Sequence, residues 1–278
     1  MKYQKMLLKN KLLECHENGK ALLACNYYNF ETLKAVCLAV KNKGVPIILQ
    51  LTRSSIDYMG LQNAVSMGRQ ALDFFGVEGW IHLDHADDTE LVYQCLDAGF
   101  DSVMIDASEK PIEENIDITK EVVKRAESYN ANVEAELGYV AKLGQSTDKI
   151  GFTEPEEART FVEQTGVNAL AVAIGSAHGF YKKEPKLDLP RLAEINSIAG
   201  CPLVLHGGSG IPGEILQEAI NKGICKINVA TEIKNMFMKS LTEILQKNEE
   251  IDLRKVFPAA IEQVTALVGS KIDIIYSL

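Results

Sequence analysis

The chain is sparing in the features that mark several whole classes of protein. Its six cysteines, Cys15, Cys25, Cys37, Cys95, Cys201 and Cys225, form no close pair, so no disulfide framework is expected. No basic-then-apolar leader stands at its start, and a reducing cytoplasm is therefore the expected compartment. No apolar run approaches the roughly 20 residues that span a bilayer, which argues against an integral membrane protein. Basic charge is short as well. With 29 Lys and Arg against 38 Asp and Glu, the net charge is -9. A nucleic-acid surface needs clustered cations, so no nucleic-acid partner is expected, and any phosphate bound should be small and held locally. Linkers, low-complexity segments and short repeats are absent too.

What is present is an ordinary globular composition, 46% hydrophobic and 24% charged, arranged as eight continuous apolar runs. They cover residues 21–26, 46–52, 80–85, 102–106, 132–137, 168–175, 202–207 and 225–230. Helical stretches lie between them, such as ETLKAVCLAVKNKG with its closing Gly44, and EPEEARTFVEQTG with Pro155 and acids in its first turn. Runs without polar alternation, each separated by a helix, predict a parallel sheet covered by helices. Eight such units predict one (β/α)8 barrel domain over residues 1–278, an α/β fold. A doubly wound open sheet would want a Gly-rich phosphate turn after its first strand, and CNYYNFE is not one. From about Ser240 onward, LTEILQ and FPAAIEQVTALVGSKI read as further helices at the C-terminal end.

Four of the five histidines sit where such a run gives way to a loop: His82 and His85 in WIHLDHADD, His178 in ALAVAIGSAHG, and His206 in PLVLHGGSG. In a barrel of this kind the last residues of each strand face one basin. In order those are Asn26, Thr52, Asp84 with His85, Asp106, Glu136, His178, His206 and Asn228. Polar groups in otherwise apolar segments are costly to bury unless a metal or substrate satisfies them. A single histidine there is more often a satisfied core or loop residue, but three in equivalent positions favour a shared role. Three imidazoles with an open fourth position make a catalytic zinc site. Strand alternation puts His82 and Asp84 on one face and His85 on the other, so Asp84 and His85 reach the basin together only if the strand ends there. On this reading His85, His178 and His206 are the ligands, Asp84 carries a proton, and His82 packs or hydrogen-bonds beside them. Lys226 lies early in the eighth strand, away from the mouth, which disfavours Schiff-base chemistry.

Two segments suit an anion. HGGSG (206–210) offers backbone N–H groups from Gly207 and Gly208 and the hydroxyl of Ser209, and NVATEIK (228–234) opens a helix. These follow strands seven and eight, where barrels commonly hold phosphate. HGGSG alone would pass for a tight turn.

Taken together, CNYYNFETLKAV, HLDH, SVMID, VEAELG, AIGSAHG, PLVLHGGSG and KINVATEIK resemble the class II, zinc-dependent ketose-bisphosphate aldolases over nearly the whole chain. The resemblance implies a carbon–carbon lyase that cleaves or condenses a ketose 1,6-bisphosphate to dihydroxyacetone phosphate and an aldehyde phosphate. It implies zinc on His85, His178 and His206, Asp84 as acid and base, and a second metal position at Asp106 and Glu136. Gly179, Lys182, Gly207, Ser209, Asn228, Thr231 and Lys234 would line the phosphate and a neighbouring Na+ or K+. Ala230 stands where the fructose-specific enzymes carry an aspartate, so NVATE resembles the tagatose-bisphosphate branch, and a homodimer or homotetramer is implied, in that branch sometimes with an accessory subunit. The family's loop after strand five supplies a glutamate, whereas this chain reads GYVAKLGQSTDKI: either Asp148 or Tyr139 substitutes, or the substrate and the proton-transfer step differ from the family's. A residue other than glycine also follows the second histidine of HLDHADD, which would narrow the mouth. The competing readings are the same chemistry on another phosphorylated ketose or keto acid, a metal-binding member without turnover, and a metal-dependent isomerase or epimerase.

Overall fold

The computed structural model describes residues 6–140, 151–181, 185–247 and 249–277. Asp148 and Lys182 therefore lie outside the described residues. After α1 (Leu8–Glu17) come β1 (Leu22–Asn26), α2 (Phe30–Lys43), β2 (Ile47–Thr52), α3 (Arg53–Met59), α4 (Leu61–Phe75), β3 (Gly79–Ala86), α5 (Thr89–Asp97) and β4 (Ser102–Ile105). The second half runs α6 (Ile112–Glu127), β5 (Asn132–Leu137), α7 (Pro155–Thr165), β6 (Ala169–Val172), α8 (Leu189–Ala199), β7 (Leu203–Leu205), α9 (Gly213–Asn221), β8 (Ile224–Val229), α10 (Thr231–Leu245) and α11 (Leu253–Tyr276). The strands pair in sequence order, all parallel, and β8 returns to β1 to close a (β/α)8 barrel.

The local chemistry explains the boundaries. Asn29 and Thr32 form a reciprocal capping box at the start of α2, and Gly44 ends it in the left-handed region. Pro155 opens α7, where its missing N–H costs nothing. β1, β5 and β8 are buried along their whole length, as strands covered on both faces must be. The helical stretches expected after residue 240 are the last turns of α10 and the whole of α11, which packs against α2, α9 and α10.

Among the described residues two apolar cores result. One fills the shell between strands and helices, with Leu23, Val36, Ile81, Leu83, Val103 and Phe161 among its members. The other fills the N-terminal end of the barrel, where Leu22, Ile48, Trp80 and Val204 meet Leu8 and Leu12 of α1. The indole Nε1 of Trp80 donates to the Met6 carbonyl at 2.8 Å, so α1 plugs this end with its polar atom satisfied. Above the plug the interior turns polar. His82, Ser102, Asn132, Glu134 and Lys226 are each at most 1% exposed.

Candidate active site

The functional side chains hang on the C-terminal ends of the strands. β3 resolves the conflict that alternation set up between Asp84 and His85. The strand does not stop; its register with β4 shifts between Leu83 and Ala86, and His85 takes φ 51. A left-handed residue at a bulge turns the chain so that neighbours of opposite face reach one basin, and such a conformation in a non-glycine residue commonly accompanies a functional site.

The three histidines meet. One ligand nitrogen each from His85, His178 and His206 lies within 4.8 Å of the others. His85, Asp106 and Glu136 form a second such group, so His85 belongs to both. Glu134 on β5 places Oε1 2.8 Å from Nε2 of His206, where a carboxylate oxygen accepts the ring N–H. The proton of His206 is thereby assigned to Nε2, which leaves Nδ1 facing Nε2 of His85 at 2.8 Å. Nδ1 of His85 faces Asp106 Oδ2 at 3.0 Å. The facing Nδ1 of His206 and Nε2 of His85, together with His178, are a donor set that a transition metal fits, and these two rings are held from behind by the carboxylates of Glu134 and Asp106.

The charges agree with that geometry. Burial works against a charge on His85, but the bond to Asp106 and the carboxylates of Asp84 and Glu136 outweigh it and push its pKa up to about 9. Burial, together with His85 and Lys226, holds His206 well below its ordinary range. Burial and the neighbouring Asp106 push Glu136 up to about 8, and its Oε2 is buried with no hydrogen-bond partner among the described residues. Asp106 goes the other way. Burial opposes its ionisation, yet the bonds from His85 and Ser108 keep its carboxyl well below the usual range.

Asp84 sits between two amides, accepting from Asn26 Nδ2 at 2.8 Å and from Asn228 Nδ2 at 3.2 Å. Burial would raise its pKa, but His85, His206, Lys226 and the Asn26 bond outweigh it, so the carboxyl is held below its ordinary value. Asn26, Asp84 and Asn228 thus come together as the strand ends predict. Thr52 differs: its hydroxyl caps α3 through Ser55 N.

The loops after β6, β7 and β8 are fastened to one another. Gly207 has φ 69, and a Cβ there would lie 2.3 Å from the Ala177 carbonyl oxygen, so only glycine lets these loops approach. The Tyr181 hydroxyl accepts from Ala177 N and donates to Gly207 O, both at 2.9 Å. Gly208 N donates to Asn228 O, and Ser209 Oγ accepts from Ala230 N and Glu232 N at 3.3 Å. Gly179 is buried with φ 97, Thr231 begins α10, and Lys234 places its ammonium 5.7 Å from the ring centroid of Tyr28. On the far side, Tyr139, Ser108, Glu109 and Phe152 line a cavity of about 500 Å3.

Lys226 corrects its expected place. It lies in the middle of β8, is fully buried inside the barrel, and pairs with Glu134 Oε2 at 2.8 Å. His82 stands 3.4 Å from the same ammonium and bonds Ser102 through Nδ1 at 2.7 Å. Glu134 was legible in principle, since in NVEAEL it shares the face of Glu136. Nothing in the sequence marks Tyr181.

Fold and site together define a (β/α)8-barrel enzyme with a metal-capable histidine cluster at its mouth. A profile described as "Fructose-bisphosphate aldolase class-II" matches residues 6–278, and the chain belongs to that family of lyases. It is 39% identical to the D-tagatose-1,6-bisphosphate aldolase subunit GatY of Klebsiella oxytoca, over 87% of each chain. It is 40% identical to a fructose-bisphosphate aldolase of Staphylococcus epidermidis, over 95% of each. Among solved structures it resembles the YdjI aldolase of Escherichia coli K12, with a TM-score of 0.86, 29% identity and 96% of each chain covered. A putative fructose-1,6-biphosphate aldolase from Coccidioides immitis gives a TM-score of 0.87 at 30% identity, covering 100% of this chain and 98% of that one.

Proposed function

We propose that this aldolase cleaves and forms a ketose 1,6-bisphosphate of the tagatose or fructose type, with dihydroxyacetone phosphate and an aldehyde phosphate as the other side of the equilibrium. The observation that carries this reading is the convergence of His85, His178 and His206 beside an Asp84 held ionised between Asn26 and Asn228. The three imidazoles would hold zinc, with Asp106 and Glu136 beside a second position for the ion, and zinc bound there supplies Lewis acidity toward the ketone and its adjacent hydroxyl. Asp84 removes the C4 hydroxyl proton as the C3–C4 bond breaks and returns it in condensation. Asn26 and Asn228 fix its two oxygens, so the carboxylate meets the substrate in one orientation. The phosphate of the three-carbon half rests on Gly207 and Ser209 and on the start of α10 at Ala230, Thr231 and Lys234, with Na+ or K+ beside it; the Gly208 N–H, expected from the sequence to face the anion, is instead donated to Asn228 O.

Residues 1–278 work as one barrel domain. The free, buried cysteines support a cytoplasmic setting, and the homodimer or homotetramer is carried over with the family. No helix among the described residues is long and apolar enough to cross a membrane. Ala230 favours the tagatose epimer, while one relative is named for each sugar at nearly equal identity. The test is release of dihydroxyacetone phosphate from tagatose and fructose 1,6-bisphosphates, with and without EDTA. Cleavage abolished by chelator and restored by zinc is expected. Failure on both sugars by folded, zinc-loaded protein would move the substrate to another phosphorylated ketose or keto acid.

A further inference from the structure

The proposed phosphate loop contains a carboxylate that the chemistry above does not use. Glu232, in the first turn of α10, turns its side chain back to the loop after β7, where Oε1 accepts from Gly210 N. Its backbone N–H in turn donates to Ser209 Oγ. Glu232 is thus bonded to the loop at two points, and it sets the spacing between the loop after β7 and the start of α10. A carboxylate beside an anion site is also a liability, because it repels the ligand in proportion to how little it is neutralised.

The neutralising charge comes from far along the chain. Lys271, in the last turns of α11, reaches Glu232 Oε1 at 3.1 Å, with the two side chains only 9% and 12% exposed. Lysine is rarely buried unless paired, and this one lies on a helix outside the β/α repeat. The second oxygen, Oε2, is buried with no hydrogen-bond partner among the described residues, so the pair is not dispersed into a wider network there. Water screens such a pair poorly, and loss of the ammonium would leave most of a negative charge against the loop.

We infer that Lys271 is a positioning residue for phosphate recognition: by neutralising Glu232 it lets a carboxylate brace the phosphate loop without repelling the phosphate, which makes the C-terminal helix part of the substrate-binding apparatus. This rests on the reading of residues 207–209 and 230–234 as the phosphate site, and it touches substrate affinity rather than the bond-breaking step.

The test is made on zinc-loaded protein with two readouts, the dissociation constant for inorganic phosphate as a competitive inhibitor and the split between kcat and KM. Lys271→Met should raise KM and the phosphate constant about tenfold or more, with kcat within about twofold. Lys271→Arg should recover most of the loss. The double variant Lys271→Met/Glu232→Gln should recover it too, because the amide oxygen still accepts from Gly210 while the charge is gone. If wild-type protein does not bind phosphate at all, the reading of the loop falls and this inference with it. If wild type binds and Lys271→Met binds equally well, this inference alone is wrong. A parallel fall in kcat that the double variant does not relieve would make the pair a structural strut and would likewise overturn it.

Discussion

Replacing Lys226 with methionine should reach the metal site without touching a ligand. The ammonium lies 2.8 Å from Glu134 Oε2, and both side chains are fully buried. Methionine keeps the length of the side chain and removes the charge, so Glu134 is left uncompensated in the barrel interior. Breaking a buried pair by deleting one partner costs about 3–5 kcal/mol, well above the cost of a surface pair. For a chain of this size that corresponds to a fall in Tm of roughly 10 °C. Glu134, no longer held by the ammonium, is free to shift, and its Oε1 then serves less well as acceptor for Nε2 of His206. Loss of such backing commonly lowers metal affinity about 10- to 100-fold. The assay is a pair of measurements on one protein: chemical denaturation for stability, and competition with a chromophoric chelator for zinc. The double variant Lys226→Met/Glu134→Gln separates the two effects. It removes the stranded charge and should recover most of the stability, while His206 keeps only a neutral amide oxygen and zinc affinity stays weakened. A single variant as stable as wild type, with unchanged zinc affinity, would refute the claim that the interior pair supports His206.

Three other outcomes are expected. Gly207→Ala should cost at least about 2 kcal/mol, since a left-handed alanine is unfavourable by about 1–2 kcal/mol and its Cβ would press on the Ala177 carbonyl oxygen 2.3 Å away; an unchanged denaturation midpoint would contradict this. Asp84→Asn preserves the shape between Asn26 and Asn228 but cannot carry the proton, so kcat should fall about 10²- to 10⁴-fold with zinc stoichiometry intact, checked by steady-state cleavage and metal analysis. With its pKa at about 9, His85 of the metal-free protein is protonated at neutral pH, and a metal must displace that proton. Apparent zinc affinity should therefore climb with pH, by up to about tenfold per unit, and level off above pH 9; chelator competition across that range would show a flat profile if the proton were elsewhere.

The amino-acid sequence by itself determined the architecture and much of the mouth. Long apolar runs separated by capped helices admit little besides a parallel barrel, because a strand buried on both faces shows no alternation. A polar residue at the end of such a run is conspicuous for the same reason, which is why Asn26, Asp84, His85, Asp106, Glu136, His206 and Asn228 were legible without coordinates. Only the tertiary structure decided what depends on groups distant in the chain. Alternation forbade Asp84 and His85 from sharing a face, and it took a bulge against β4 with His85 at positive φ to allow it. Lys226 belongs to the interior through Glu134, 92 residues away, and Lys271 belongs to the loop after β7 through Glu232. A buried charge is tolerable only beside its counter-charge, and which two meet is set by how eight strands close and where the last helix lies, not by any local pattern.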